Sequence, residues 1–225
     1  MVILDYQKKH HAKIIHACVM ALRQGRVVAY PTDTSYGLAV DAANEKAVTK
    51  LYRIKGRNFK KPSSVVVPSK AYAKKLVEWN KTVQKLTNRF WPGALTIAAK
   101  VKGKGGEFKK LKSADGYLSL RMPKNQVALD LAVLLKKPIT ATSANLSGQP
   151  DCYSADDIVK QFSAKGGSAS GGKKQKLKPD IVINFGRLAK RKPSTVAKII
   201  NEDKIEIVRT GPITETQIAK TLIEK

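Results

Sequence analysis

Apolar positions that recur every three to four residues predict a series of helices along the chain. The second of these helices also carries end signals, because Asn44 can cap its start and Gly56 can close it. Two later helix starts carry capping boxes, formed by Ser154 with Asp157 and by Thr214 with Gln217. The predicted helices cover residues 10–24, 44–56, 127–135, 154–162 and 214–225, and lysine-rich helical segments lead up to Phe90.

Short apolar or alternating runs lie between the predicted helices and are typical of strands. In the run YLSLRM, Leu118, Leu120 and Met122 face one way and the residues between them face the other. The other runs predict strands at residues 27–30, 63–68, 95–101, 138–143, 180–185 and 204–211. Because strands and helices are interspersed along the whole length, we expect a single α/β domain over residues 1–225, built on a twisted mixed sheet.

The composition indicates a folded chain with a large positive charge. Hydrophobic residues make up 42% of the 225 residues, which is enough for a substantial core. The 43 Lys and Arg against 17 Asp and Glu give a formal net charge of +26, which predicts attraction to polyanions. A general enrichment of surface lysine would give the same charge without any specific site. The stretch 163–179, rich in Gly, Ser and Lys, is predicted to be a flexible basic loop.

Several classes of protein are disfavoured by features that the sequence lacks. No apolar run approaches the ~18 residues of a membrane span, and the N-terminus lacks the order of a signal peptide. Only Cys18 and Cys152 are present, so we expect no disulfide framework and a cytoplasmic protein. There is no Walker-type phosphate loop. All three histidines lie within the first 16 residues, which disfavours zinc sites and hydrolytic triads.

The polar residues that could carry chemistry lie in loops beyond predicted strands and helices. Lys55 and Arg57 flank a helix-ending glycine in the basic stretch KGRNFKKPSS, and hydroxyl, amide and cationic side chains recur in YPTDTSYG, TATSANLSG, KPSTVAK and EIVRTGP. Ligand sites in open α/β folds collect beyond strand ends, so these loops could converge. Such a site would hold phosphates and act through positioning and charge stabilisation. Each residue also has a simpler explanation: Lys55 is favourable at a helix C-terminus, and Arg121 could pair with an acid.

Seven short motifs occur in the order found in the YrdC/TsaC family, over residues 25–212: YPTDTSYGL, KGR, FWPGALT, LRMP, TSANLSG, PST and VRTGPI. The chain resembles these threonylcarbamoyl-AMP synthases in their short, single-domain form. The resemblance implies an α/β fold with a concave, positively charged cavity. It also implies that L-threonine, bicarbonate or CO2, and ATP are converted to threonylcarbamoyl-AMP and pyrophosphate. A partner transferase would then pass the threonylcarbamoyl group to an adenosine beside the anticodon of tRNA.

Four residues match the core motifs of that family. Lys55 and Arg57 correspond to its Lys-x-Arg, and Ser143 and Asn145 correspond to its Ser-x-Asn. The resemblance implies that these four form the catalytic core, with Arg57, Ser143 and Asn145 also contacting ATP.

Five further residues match substrate-contacting positions of the family. Thr34, Arg121 and Ser194 would contact L-threonine, and the Arg121 guanidinium suits its carboxylate. Lys61 and Arg209 would contact ATP. Mg2+ would be held mainly by ATP and water, because the chain has few carboxylates.

The chain departs from the family pattern in three places. The run NFKKPSS replaces the Pro that commonly follows the Lys-x-Arg, and Val66 stands at or near a position that is often His. The segment NFGRLAKRKPSTV is basic where the family usually has an acidic, glycine-rich turn. These differences bear on the threonine contacts and on turnover.

Two other functions fit parts of the sequence. The first is a module on the same fold that binds tRNA or double-stranded RNA through backbone charge, without synthase activity. The second is a carbamoyl-transfer domain of the hydrogenase-maturation type, a context that normally adds an acylphosphatase domain and zinc fingers, neither of which this sequence contains.

Overall fold

The computed structural model describes residues 1–103, 106–163 and 177–223, which form an open sheet with helices packed on it. The strands of the described residues are β1 (Val2–Asp5), β2 (Val28–Tyr30), β3 (Gly37–Ala39), β4 (Ser64–Val66), β5 (Leu95–Lys100), β6 (Tyr117–Arg121), β7 (Ile139–Ser143), β8 (Ile181–Asn184), β9 (Thr195–Ile199) and β10 (Ile205–Arg209). The α-helices are α1 (His11–Arg23), α2 (Glu45–Lys55), α3 (Lys70–Leu76), α4 (Lys81–Phe90), α5 (Gln126–Leu135), α6 (Ala155–Ser163) and α7 (Glu215–Ile223).

The ten strands lie in one mixed sheet in the order β1-β8-β2-β3-β7-β4-β6-β5-β9-β10. β8 is parallel to both of its neighbours, and β4 with β6 and β5 with β9 are also parallel, while the other neighbouring pairs are antiparallel. The predicted mixed α/β architecture is therefore confirmed. The prediction missed three strands, which are β1, β3 and β9.

Successive side chains of the strands pack into two separate hydrophobic cores, one on each face of the sheet. Val65 and Val67 pack with residues of α2, while Val66 between them packs with residues of α1 and α5. Both faces of the central strands are covered, so β6 is buried on both sides rather than on one. Cys18 is fully buried in the second core, and both cysteines are free, as the sequence predicts.

The helix ends form as their sequences predict. The Asn44 side chain accepts a hydrogen bond from the Ala47 N–H at 3.0 Å, and Gly56 closes α2 with a φ of 60°. The two predicted capping boxes also form. Ser154 and Asp157 each accept, through the side chain, a hydrogen bond from the backbone N–H of the other. Thr214 and Gln217 are bonded to each other in the same way.

Two distant motifs meet because Gly211 allows a close approach. A Cβ on Gly211 would lie 2.3 Å from the Pro193 carbonyl oxygen, so a larger residue could not pack there. Thr195 Oγ1 accepts from the Gly211 and Ile213 N–H groups at 3.0 and 3.1 Å and donates to the Ile213 carbonyl at 2.6 Å. The PST and TGPI motifs thus form one unit.

Two sequence expectations concern membranes and the basic loop. None of the helices in the described ranges combines the length and the apolar character needed to cross a bilayer. Most of the predicted flexible loop at 163–179 lies outside the described residues.

Candidate active site

Lys55 joins the two core motifs predicted from the sequence. It is the last residue of α2 and is only 2% exposed. Its Nζ donates to the Asn145 carbonyl at 2.7 Å, to Asn145 Oδ1 at 3.0 Å and to the Ser143 carbonyl. A backbone bond of 2.8 Å from the Ser147 N–H to the Lys55 carbonyl reinforces the contact. The Lys-x-Arg and Ser-x-Asn motifs, nearly ninety residues apart, are therefore brought together.

The environment of Lys55 acts on its charge in two opposing ways. Burial lowers the pKa of Lys55 to about 7, and the nearby charge of Arg57 acts in the same direction. The three oxygen acceptors favour the ammonium form, because a neutral amine offers only two N–H donors. All three donors are engaged by the loop that follows β7. Lys55 thus anchors that loop to the C-terminal end of α2.

The loop after β7 is held in one conformation by its own side chains. Ser143 Oγ donates to Asn145 Oδ1 at 2.6 Å, and Asn145 Nδ2 donates to the Gln149 carbonyl. The Leu146 N–H donates to Gln161 Oε1 at 3.1 Å, which ties the loop to α6. The hydroxyl and amide predicted as site residues are therefore fixed by the fold itself.

Arg57 lies on the basic loop that follows α2. Its Nε donates to the Lys61 carbonyl at 2.8 Å, and its Nη2 donates to the Pro62 carbonyl at 3.1 Å. Among the described residues these bonds use two of its five N–H donors, which leaves three for a ligand. Lys61 is exposed on the same loop, between α2 and β4, and its role stays a prediction.

Arg121 is paired with an acid inside the site. Its Nη2 lies 2.6 Å from Asp33 Oδ1, and the two side chains are only 9% and 10% exposed. Its Nη1 donates to Thr34 Oγ1 at 3.3 Å, and its Nε donates to the Gly93 carbonyl at 3.3 Å. Pairing with an unspecified acid was one of the two roles that the sequence left open for Arg121. The signal was the Asp of the YPTDTSYG motif, which lies beside Thr34.

Ser194 and Arg209 form a second polar cluster with a partner that sequence reasoning missed. Ser194 Oγ lies 2.8 Å from Thr96 Oγ1, and both residues are buried. Arg209 donates through Nε to the Ser194 carbonyl at 2.9 Å and through Nη2 to Ser194 Oγ at 3.1 Å. Thr96 is the last residue of the FWPGALT motif, which was singled out only as a family signature.

A cleft brings several predicted residues to one surface. Its walls include Thr34, Arg121 and Ser143, together with Tyr30, Val66 and Thr142. Val66 therefore lines the cleft at the position where the sequence departs from the family. The other predicted residues, namely Lys55, Arg57, Lys61, Asn145, Ser194 and Arg209, lie outside this lining. The expected positive charge of the cavity stays a prediction, since Asp33 offsets Arg121.

No group of three or more His, Cys, Asp or Glu side chains suited to a metal ion occurs within residues 1–103, 106–163 and 177–223.

A match to a family model decides which proteins this chain is related to. The Sua5/YciO/YrdC model, described as "Telomere recombination", matches residues 20–211. The chain belongs to the Sua5/YciO/YrdC family. A relative of nearly the same length, in Methanocaldococcus jannaschii, is 33% identical over 218 residues, which cover 97% of this chain and 95% of the relative.

Two further relatives are longer than this chain. The threonylcarbamoyl-AMP synthase of Bacillus subtilis is 36% identical over 175 residues, which cover 76% of this chain and 49% of that protein. The crystal structure of Pyrococcus abyssi Sua5 complexed with L-threonine superposes with a TM-score of 0.82 and 27% identity, over 99% of this chain and 61% of that one. The chain thus spans half to two thirds of these two relatives.

Proposed function

We propose that this protein is an L-threonylcarbamoyladenylate synthase, a nucleotidyltransferase that makes threonylcarbamoyl-AMP and pyrophosphate from L-threonine, bicarbonate or CO2, and ATP. The observation that carries the proposal is the direct contact of Lys55 with Ser143 and Asn145. It assembles the two core motifs of a family whose relatives include named threonylcarbamoyl-AMP synthases.

The reaction places simple demands on the site. The amine nitrogen of threonine attacks CO2 and loses a proton, which gives a carbamate. A carbamate oxygen then attacks the α-phosphorus of ATP, and the bond from that phosphorus to the bridging oxygen breaks, so that pyrophosphate leaves with the electron pair. Negative charge accumulates on phosphate oxygens, and fixed cations stabilise it.

The proposed roles follow the geometry around the cleft. Arg57, with three N–H donors unbonded within the described part of the chain, and the exposed Lys61 would bind the ATP phosphates. Arg209 would contact the nucleotide from β10. Ser143 and Asn145 would orient the adenylate on the loop that Lys55 anchors. Mg2+ would enter with ATP and be held mainly by phosphate oxygens and water.

The threonine subsite is proposed at Arg121, with Thr34 and Ser194 nearby. Arg121 lines the cleft beside the Thr34 hydroxyl, and its guanidinium is suited to a carboxylate. The product would pass to a transferase that modifies tRNA, and a cytoplasmic location is part of this proposal because that tRNA is used there.

The test is pyrophosphate release from ATP by the purified protein. We expect release that depends on both L-threonine and bicarbonate, and that falls at least about a hundredfold in Arg57→Ala, as expected when a charge-stabilising group is removed. The control is Arg23→Ala, at an exposed position on α1. Pyrophosphate release that depends on neither L-threonine nor bicarbonate, together with salt-sensitive RNA binding, would favour the RNA-binding alternative.

A further inference from the structure

Tyr52 lies beneath the loop that carries Arg57. It sits on α2, one turn before Lys55, and is fully buried. Its carbonyl accepts from the Arg57 N–H at 2.9 Å, and its hydroxyl accepts from the Ser63 N–H at 2.9 Å. Tyr52 is therefore bonded to the first and the last residue of the loop 57–63.

The ring of Tyr52 also supports the middle of this loop. The Phe59 ring lies 5.2 Å away in a tilted arrangement, and the Arg57 guanidinium carbon lies 6.0 Å from the Tyr52 ring centroid. Phe59 is 49% exposed, so its ring contacts Tyr52 while remaining open to solvent. Tyr52 thus contacts this loop at three points, Arg57, Phe59 and Ser63.

The position of the Arg57 guanidinium depends on the returning limb of the loop. Two of its donors are bonded to the Lys61 and Pro62 carbonyls, and the next residue, Ser63, is the one tied to the Tyr52 hydroxyl. If the Ser63 contact is lost, the two carbonyls that orient Arg57 are free to move. A loop ordered in advance avoids the entropic cost of ordering it when a ligand binds.

We propose that Tyr52 is a positioning residue for the proposed ATP clamp, holding the loop 57–63 so that the free donors of Arg57 face the phosphates. The inference rests on the proposed function, since ATP is the ligand of the clamp. Tyr52 acts through Arg57 and does not itself touch the reacting atoms.

The direct test is Tyr52→Phe, which keeps the ring and removes the hydroxyl. A buried N–H left without its acceptor weakens the loop, and we expect the KM for ATP to rise about fivefold to tenfold. The kcat should fall together with the affinity for ATP, because Arg57 is also the proposed charge-stabilising group, while the KM for L-threonine should stay within about twofold. The control is Tyr6→Phe, which removes a tyrosine hydroxyl that contacts His11 at the start of α1, a helix packed in the other core than the one that holds Tyr52.

A double-mutant cycle separates positioning from general stability. If Tyr52 acts through Arg57, then Tyr52→Phe should raise the KM for ATP much less in an Arg57→Lys background than in the wild type. Equal effects in the two backgrounds, or a lower Tm with unchanged ATP affinity, would overturn the inference. Should Tyr52→Phe fail to fold, Phe59→Ala removes the ring contact between the loop and Tyr52 at an exposed position. We expect this change to raise the KM for ATP about twofold to threefold.

Calorimetric titration with MgATP distinguishes failure of this inference from failure of the proposed function. If the wild type binds ATP but releases no pyrophosphate, the synthase proposal fails, and weaker ATP binding in Tyr52→Phe still supports the inference. A wild type that binds no ATP overturns both.

Discussion

Lys55 illustrates how a single buried charge makes stability depend on pH. Burial and the neighbouring Arg57 lower its pKa to about 7 in the folded chain, against about 10.4 for a free lysine. Between these two values the unfolded chain holds a proton that the folded chain has released. The free energy of unfolding contributed by this group therefore increases as the pH rises from about 7 to about 10.

Replacing Lys55 by Met should remove this rise, because Met fills a similar volume and does not titrate. The measurement is denaturant unfolding of both proteins at about pH 6.5, 8 and 9.5, compared as the difference between them. Contributions that do not involve residue 55 are common to both proteins and cancel in the difference. A difference in unfolding free energy that does not change with pH would mean that Lys55 keeps an ordinary pKa in the folded state.

At the same scale, several polar contacts of the site could not be read from the sequence. Arg121 was expected to meet a substrate carboxylate, and the fold also gives it the Asp33 carboxylate at 2.6 Å. Asp33 and Arg121 are 88 residues apart. Only the arrangement of the strands brings them together, and local patterns do not contain that arrangement.

At the scale of helices and strands, the features with a strong local sequence pattern were the ones predicted correctly. The helix ends were predicted correctly at Asn44, Gly56 and both capping boxes, because capping depends on residues three positions apart. Length does not explain why β1 and β3 were missed, because β2 and β4 are also three residues long and were predicted. β1 is mostly exposed, and β3 begins with a glycine, which weakens a strand signal. The sequence of β9, TVAKI, has β-branched residues and alternates between buried and half-buried positions, so this strand could have been predicted from its pattern.

The cap of α2 supports both the site and the proposed loop, since this helix carries Tyr52 and Lys55. Asn44→Ala removes the acceptor for the Ala47 N–H and should lower the free energy of unfolding by about 1 kcal/mol. The matched control is Asn88→Ala on α4, where the exposed side chain accepts from the side chains of Lys70 and Gln84 and where we expect a change within about 0.5 kcal/mol. Thermal or urea unfolding measures both, and equal losses would mean that the cap contributes nothing specific.

At the scale of the whole molecule, the strand order was beyond the reach of sequence patterns. β4 lies between β7 and β6, and β5 lies between β6 and β9, so the sheet neighbours of a strand are mostly distant in the chain. Alternation predicts that a strand exists and which side chains share a face, but it holds no information on partners. The convergence of the loops was anticipated only from the general behaviour of open α/β sheets and from the family resemblance.

The net charge of +26 also belongs to the whole molecule, and its effect can be separated from that of the site. Attraction to RNA through backbone phosphates should weaken steeply with salt, with a log–log slope of about 0.7 to 0.9 for each phosphate neutralised. If this attraction comes from the whole surface, Arg57→Ala should reduce the slope by at most about 1 while abolishing threonine-dependent pyrophosphate release. The measurement is tRNA binding at several salt concentrations for the wild type and Arg57→Ala. Loss of most of the salt-sensitive tRNA binding in that one variant would instead place the RNA at the clamp itself, so that RNA and ATP would compete for the same arginine.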